Sequence, residues 1–181
     1  MSALIIHPRD LSTTFLTPIY QDIANANVIV DGYDDEQIIN ALNESDRVLM
    51  MGHGSPGGLF SVGNFRTRTP YVISHLNARQ LQAKDENVFI WCNADKYVER
   101  HNLTGFYTGM FISEVSEAQF CGVFKATQDM VDESNDLFAH IMSKYINDKK
   151  HTLFNNVRND YAVLIKHNPV AHYNWKRLYV K

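Results

Sequence analysis

Short, mostly apolar runs alternate with segments of helical periodicity along the chain. The runs are too short for helices and are bounded by polar, glycine or proline positions, which predicts buried β-strands. Strands are predicted at residues 3–6, 27–30, 47–51, 87–91 and 106–115. The run Val-Leu-Met-Met at 48–51 contains no polar position, so its strand is expected to be buried on both faces.

Helical periodicity fills the intervals between these strands. Helices are predicted at residues 13–24, from Asp34 or Asp35 to Leu42, and at 71–83, 94–101 and 127–147. Pro18 should shorten or kink the first of them. The glycines concentrated between 52 and 63 predict the least regular backbone of the protein. Strands that alternate with helices predict a mostly parallel sheet flanked by helices, in a single α/β domain over residues 1–181.

Composition and charge argue against nucleic-acid and membrane partners. The chain has 181 residues and a formal net charge of −3, so it carries no general attraction for nucleic acid or an anionic bilayer. No run approaches the roughly 20 apolar residues of a membrane span, and the first residues lack a basic leader. Two cysteines are too few for a disulfide framework. These features predict a cytoplasmic protein, and they leave its oligomeric state open.

Two residues with catalytic chemistry follow two of the apolar strands. His53 follows the strand at 47–51, and Cys92 follows the strand at 87–91. Ligands bind at the carboxyl ends of strands in open α/β sheets, so the two side chains are expected to meet there. A helix should begin just after Cys92, and the positive end of a helix favours thiolate. The sequence therefore predicts a cysteine nucleophile, a histidine general acid and base, and oxyanion donors in the Gly54 and Cys92 amides.

This arrangement resembles the caspase-like cysteine peptidases, a group that includes caspases, metacaspases, legumain, clostripain, gingipains and separase. In that group an apolar strand ends in His-Gly and a later apolar strand ends in the nucleophilic Cys. Here the two segments are VLMMGHG at 48–54 and VFIWC at 88–92, and the resemblance extends from residue 3 to about residue 123. It implies a caspase-like three-layer sandwich. It also implies a cysteine endopeptidase that cuts protein or peptide substrates through a thioester acyl-enzyme, without a cofactor.

The resemblance further suggests where a substrate would be recognised. The strand after the nucleophile lines a pocket in the family, and here the corresponding segment carries Ser113, Glu114, Ser116 and Glu117. Of these, Ser113 and Glu114 are the candidate substrate-binding residues. Several family members have a polar or acidic residue one or two positions before the cysteine. This chain has Ile90 and Trp91 there, so its pocket chemistry should differ.

Other interpretations of the same residues are less well supported. A catalytically inactive or regulatory caspase-like module that binds a protein partner would keep the fold without turnover. Residues 52–57 also fit the dinucleotide pattern GxGxxG, but Pro56 interrupts the expected helix start and no acidic residue follows at the required distance. A papain-like set of Cys92, His172 and Asn174 has the wrong spacing.

The remaining histidines and the basic C-terminal region predict no further site. The eight histidines show no i, i+4 spacing, so a metal site is not indicated. Basic residues outnumber acids between 149 and 181, and aromatic residues lie between them, a combination also found on nucleic-acid surfaces. Aromatics packed on the core with charges in solvent are the favoured interpretation. Cys121 is expected in the core, just past a strand.

Overall fold

The computed structural model describes residues 2–181 and is built on a six-stranded sheet. In chain order the strands are β1 (Ala3–Ile6), β2 (Asn27–Ile29), β3 (Arg47–Met51), β4 (Gly54–Ser55), β5 (Gly58–Phe60), β6 (Tyr71–Ile73), β7 (Asn87–Ile90), β8 (Gly105–Thr108) and β9 (Leu178–Val180). The large sheet has the order β2-β1-β3-β7-β8-β9. Its first five strands are parallel, and β9 is antiparallel to β8. The predicted mostly parallel α/β sheet is confirmed.

Seven α-helices and two 3-10 helices connect the strands of the described residues. The α-helices are α1 (Asp35–Glu44), α2 (Ala78–Gln82), α3 (Ala94–Arg100), α4 (Val115–Phe120), α5 (Gln128–Tyr145), α6 (Lys150–Tyr161) and α7 (Pro169–Trp175), and the 3-10 helices are Leu11–Ile19 and His75–Asn77. Asp34 caps α1, as predicted, by accepting a hydrogen bond from the Gln37 amide. The predicted helix at 13–24 is instead the 3-10 helix that contains Pro18. Among residues 2–181, no helix combines the length and apolar character needed to cross a membrane.

Alternate residues of the central strands face two different helical layers. Leu49 and Val88 pack with residues of the first 3-10 helix, α5, α6 and α7. Val48 and Phe89 pack on the opposite face with residues of α1, α2 and α3. Every residue of β3 is buried, which explains the unbroken apolar sequence of residues 48–51 that follows Arg47. The result is a three-layer arrangement in which the carboxyl ends of β3 and β7 lie side by side.

The glycine-rich segment is more regular than its composition predicts. β4, β5 and β6 form a small antiparallel sheet in which Leu59 pairs with Ile73. Gly58 adopts a φ of 141°, and a Cβ there would lie against the Ile73 carbonyl oxygen, so only glycine allows this pairing. The helix predicted at 71–83 is therefore wrong in its first part, because residues 71–73 are recruited as a strand.

The strand predicted at 106–115 is also too long. β8 ends at Thr108, and Val115 begins α4 rather than ending a strand. The reason is a capping box, in which the Glu114 and Glu117 side chains satisfy the first amides of α4. Cys121 follows this helix and is partly buried in a small apolar cluster, so it does not lie past a strand.

Candidate active site

The ends of β3 and β7 bring His53 and Cys92 to one cavity. The two strands pair in parallel with Met51 beside Ile90, and the Gly52 amide donates to the Ile90 carbonyl at 3.0 Å. His53 and Cys92 both line a cavity of about 20 Å³, which is room for roughly one water molecule. The juxtaposition expected from the order of the strands is thus present in the structure.

His53 is held by a hydroxyl and a carboxylate from the segment after β1. Its Nε2 lies 2.6 Å from Ser12 Oγ, and Ser12 Oγ lies 2.6 Å from Asp10 Oδ1. Because the Ser12 hydroxyl donates its one hydrogen to the carboxylate, its oxygen accepts from the Nε2–H of the imidazole. Hydrogen bonds from the Ser12 hydroxyl and amide lower the pKa of Asp10. These hydrogen bonds occupy Nε2 of His53 and leave its Nδ1 for proton exchange.

Cys92 is held as a neutral thiol. Its Sγ lies 3.3 Å from the Phe111 carbonyl oxygen and 3.7 Å from Oε1 of Glu117. Burial, followed by the negative charge of Glu117, raises the pKa of Cys92 to about 12. The prediction that the helix after Cys92 stabilises its thiolate is therefore wrong for this state. Burial and the Glu117 carboxylate outweigh the field of the short helix α3.

Glu117 contacts the Cys92 thiol and caps its own helix at the same time. Its Oε2 accepts from the Ser113 amide at 2.8 Å, the Ser113 hydroxyl at 3.0 Å and the Glu114 amide at 3.2 Å. These bonds fix the carboxylate so that Oε1 is directed at Cys92 Sγ. Glu117 thus links the start of α4 to the thiol.

Gly54, the predicted oxyanion donor, lies beneath the neighbouring indole. A Cβ at Gly54 would be 2.3 Å from Cδ1 of Trp91, and the Trp91 Nε1–H donates to the Ser55 carbonyl at 3.1 Å. Gly54 is not among the residues that line the cavity of His53 and Cys92. The position of Gly54 in the sequence suggested that it lacks a side chain so that a substrate can approach the backbone. The structure gives a different reason, which is the packing against the Trp91 indole.

Ser113 and Glu114, the two candidate substrate-binding residues, line two neighbouring pockets. Ser113 lines the cavity that holds Cys92, and Glu114 lines an adjoining groove of about 650 Å³. Ser113 and Phe15 belong to the walls of both. The groove continues along α5, where its wall is formed by Gln128, Asp132, Asn135 and Asp136.

The residues of the papain-like alternative are placed elsewhere. Asn174 is fully buried and bonds both backbone groups of Ile112, at 2.7 and 2.9 Å, which is a structural role. His172 lines a separate cavity, whose walls include neither Asn174 nor Cys92. The described residues, 2–181, contain no group of three or more His, Cys, Asp or Glu that could hold a metal ion.

Four residues of the site were not selected from the sequence. Asp10 and Ser12 follow β1, which neighbours β3 in the sheet. Their position after the end of β1 could have indicated that they lie near His53. Glu117 was part of the polar segment after β8, but only the capping of α4 directs it at the thiol. Phe111 contributes a backbone carbonyl, which no side-chain pattern reveals.

Comparison with known proteins gives no further assignment. No protein-family model matches the chain, and no curated protein and no solved structure matches it either. The function therefore has to be inferred from the arrangement of the residues around the cavity.

Proposed function

We propose that the protein is a cysteine endopeptidase with a caspase-like architecture and a His53–Cys92 dyad. The observation that carries the proposal is that both residues line one cavity at the carboxyl ends of adjacent parallel strands. A three-layer α/β/α arrangement with a mostly parallel sheet is compatible with the caspase-like sandwich that the sequence motifs suggest. The polar groove beside the cavity provides space for a peptide.

In the proposed reaction, Nδ1 of His53 removes the proton from the Cys92 thiol, and Sγ attacks the carbonyl carbon of the scissile bond. The tetrahedral oxyanion is stabilised by backbone amides, and the amide of Cys92, a residue of the cavity wall, is the proposed donor. His53 then gives its proton to the departing amine as the C–N bond breaks, which leaves a thioester. A water molecule, deprotonated by His53, hydrolyses the thioester to a carboxylic acid and restores the thiol.

The hydrogen bonds that join Asp10, Ser12 and His53 support the proposed role of the histidine as general acid and base. The Asp10 carboxylate lies 3.9 Å from His53 Nε2 and is bridged to it by the Ser12 hydroxyl. A carboxylate at this distance stabilises the imidazolium that forms during the reaction, while the hydroxyl fixes the ring orientation. The thiol must leave its contact with Phe111 and Glu117 before it reacts, so the state seen here is a resting one.

A non-catalytic module is the second candidate function. The observation in its favour is the buried, neutral thiol, whose pKa of about 12 gives little thiolate at neutral pH. In this alternative the groove would bind a peptide of a partner protein without cleaving it.

Cleavage of a peptide library, read by mass spectrometry, separates the two candidates. A peptidase is expected to cut selected peptides and to become labelled at Cys92 by a peptidyl acyloxymethyl ketone. Cys92→Ser and His53→Ala should each abolish cleavage, whereas Cys121→Ser, the matched control at the other free cysteine, should retain it. Absence of both cleavage and labelling, in the wild type and in Glu117→Gln alike, would leave the binding module as the function.

A further inference from the structure

We propose that a second cavity, between the loop that follows α4 and the helix α7, binds a nucleoside phosphate. The cavity is lined by residues 122–125 of the loop and by residues of α7 and the two positions after it. Its volume is about 640 Å³, which is in the range of small-molecule sites. It shares no lining residue with the cavity of His53 and Cys92, so the inference does not depend on the proposed peptidase function.

The walls of this cavity carry positive charge without a compensating acid. Lys125, Lys176 and Arg177 line it, His172 adds an imidazole, and no aspartate or glutamate is among its lining residues. Within residues 2–181, none of these four side chains forms an ion pair. The whole chain has a net charge of −3, so the local excess of bases is opposite to its overall composition. The ligand that this electrostatic field favours is an anion.

Arg177 is already held in position for an anionic ligand. Its guanidinium carbon Cζ lies 3.4 Å from the centroid of the Tyr173 ring, and its Nη1 donates to the Tyr173 carbonyl at 3.1 Å. A guanidinium has five N–H donors, and within the described residues this bond is the one that its side chain makes. The remaining donors form a planar fork, which matches the oxygens of a phosphate group. Because the side chain is already ordered, less conformational entropy is lost when the anion binds.

Apolar surface beside these charges indicates that the anion carries a flat ring. Phe124 lines the cavity and is 79% exposed, although large aromatic side chains are usually well buried. Val123 and Pro169 extend this apolar wall. Exposed aromatic rings beside basic side chains are a common means of binding nucleotides, because the base stacks on the ring while the cations contact the phosphates.

A nucleoside diphosphate has both of the properties that the cavity selects. Each phosphate group carries roughly one to two negative charges at neutral pH, so two of them balance three permanent cations better than a single carboxylate does. A bounded cavity of about 640 Å³ holds one nucleotide rather than a strand. A nucleic-acid strand would also extend over a protein whose net charge is negative, which disfavours a polyanion.

Calorimetric titration of the wild-type protein with three probes tests the charge and the ring separately. The probes are ADP, adenosine, which lacks the phosphates, and pyrophosphate, which lacks the ring, each in magnesium-free buffer. We expect ADP to bind at least about tenfold more tightly than either of the other two. An affinity for ADP that is no higher than the affinity for pyrophosphate, or for adenosine, would overturn the inference. Absence of binding of all three probes would overturn it as well.

Loss of charge in the cavity should weaken ADP binding. Lys125→Gln/Lys176→Gln removes two charges from exposed side chains, so the fold should be retained, and we expect the affinity for ADP to fall by at least about tenfold. The matched control is Arg79→Gln/Lys166→Gln, which removes two exposed charges outside the cavity and should leave the affinity unchanged. An equal loss in both double variants would mean that the attraction is not local to the cavity, which contradicts the inference.

Loss of the exposed ring should affect the nucleotide but not the simple anion. Phe124→Ala is expected to weaken ADP binding several-fold and to leave pyrophosphate binding unchanged. Phe120→Ala is the control, because Phe120 is 87% exposed and does not line the cavity. ADP binding that is unaffected by Phe124→Ala would contradict the stacking role. These are binding measurements, so a failure of the protein to cleave peptides would contradict the peptidase proposal alone.

Discussion

His53 and Cys92 each lie near a carboxylate, but the two contacts differ. Asp10 is linked to His53 through the Ser12 hydroxyl, which fixes the orientation of the ring. Glu117 accepts a hydrogen bond from the Cys92 thiol, and its charge disfavours the thiolate. The His53 half of the site is therefore positioned by hydrogen bonds, whereas the Cys92 half is held as a neutral thiol.

The two halves also differ in their access to solvent. The His53 side chain is 29% exposed, whereas burial is the largest cause of the raised pKa of the Cys92 thiol. Glu117 belongs to α4, a helix of six residues, and it is tied to the segment that precedes this helix. The carboxylate near Cys92 therefore comes from α4, whereas the groups bonded to His53 come from the segment after β1.

The largest expected effect is the pH dependence of thiol alkylation. The thiolate is the reactive form, so a pKa raised to about 12 lowers the reactive fraction of Cys92 at pH 8 by roughly a thousandfold relative to an ordinary cysteine. Labelling by iodoacetamide should be slow in the folded protein and should rise about tenfold per pH unit up to about pH 12. Peptide mapping by mass spectrometry gives the ratio of the Cys92 labelling rates in the folded protein and in the urea-unfolded protein, which serves as the reference. Rapid labelling of folded Cys92 at pH 8 would show that the two halves do not differ as described.

Removal of the negative charge beside the thiol should give the next largest effect. Glu117→Gln keeps an oxygen for the capping box of α4 but removes the charge that disfavours the Cys92 thiolate. We expect labelling of Cys92 at pH 8 to accelerate by roughly tenfold, which corresponds to about one pKa unit. The same peptide maps also give the labelling rate of Cys121. This rate should change little and serves as an internal control. An unchanged rate at Cys92 would mean that burial alone controls the thiol.

The smallest effect is expected on the histidine side. Ser12→Ala removes the hydroxyl that joins Asp10 to His53 but leaves both titratable groups in place. Because positioned general acids and bases contribute about 10² or more to a rate, loss of positioning alone should lower kcat by several-fold with little change in KM. Kinetics on a peptide from the library screen would show this. Ser143→Ala, which removes a hydroxyl that lines neither the cavity nor the groove, is the control. Loss of all activity would instead assign Ser12 a direct part in the reaction.

The strands β1, β3, β7 and the start of β8 could be predicted from the sequence because they are almost entirely buried. The edge strand β9, which is only partly buried, was not predicted. The longest predicted helix corresponds to α5 with Thr127 as its cap. The secondary-structure predictions are wrong where the local sequence pattern favours one element and strand pairing in the folded protein favours another. Residues 71–73 look compatible with a helix, but pairing of Ile73 with Leu59 makes them a strand.

The candidate site was only partly predictable for a related reason. His53 and Cys92 follow strands, so their meeting depends on the order of the sheet alone. The protonation state of Cys92 depends on burial first and on Glu117 second. The position of Glu117 results from the packing of α4 with Ile112, Val131 and Val170, which cannot be derived from spacing along the chain. Charge state, unlike location, is a property of the assembled surroundings.

The packing around Gly54 also limits how the segment after His53 can evolve. A side chain at 54 would occupy the volume of the Trp91 indole, and its Cβ would lie 2.6 Å from the Gly58 carbonyl oxygen as well. A smaller residue at 91 would remove only the first of these clashes. Position 54 is therefore restricted to glycine in any descendant that keeps this backbone, whatever residue stands at 91.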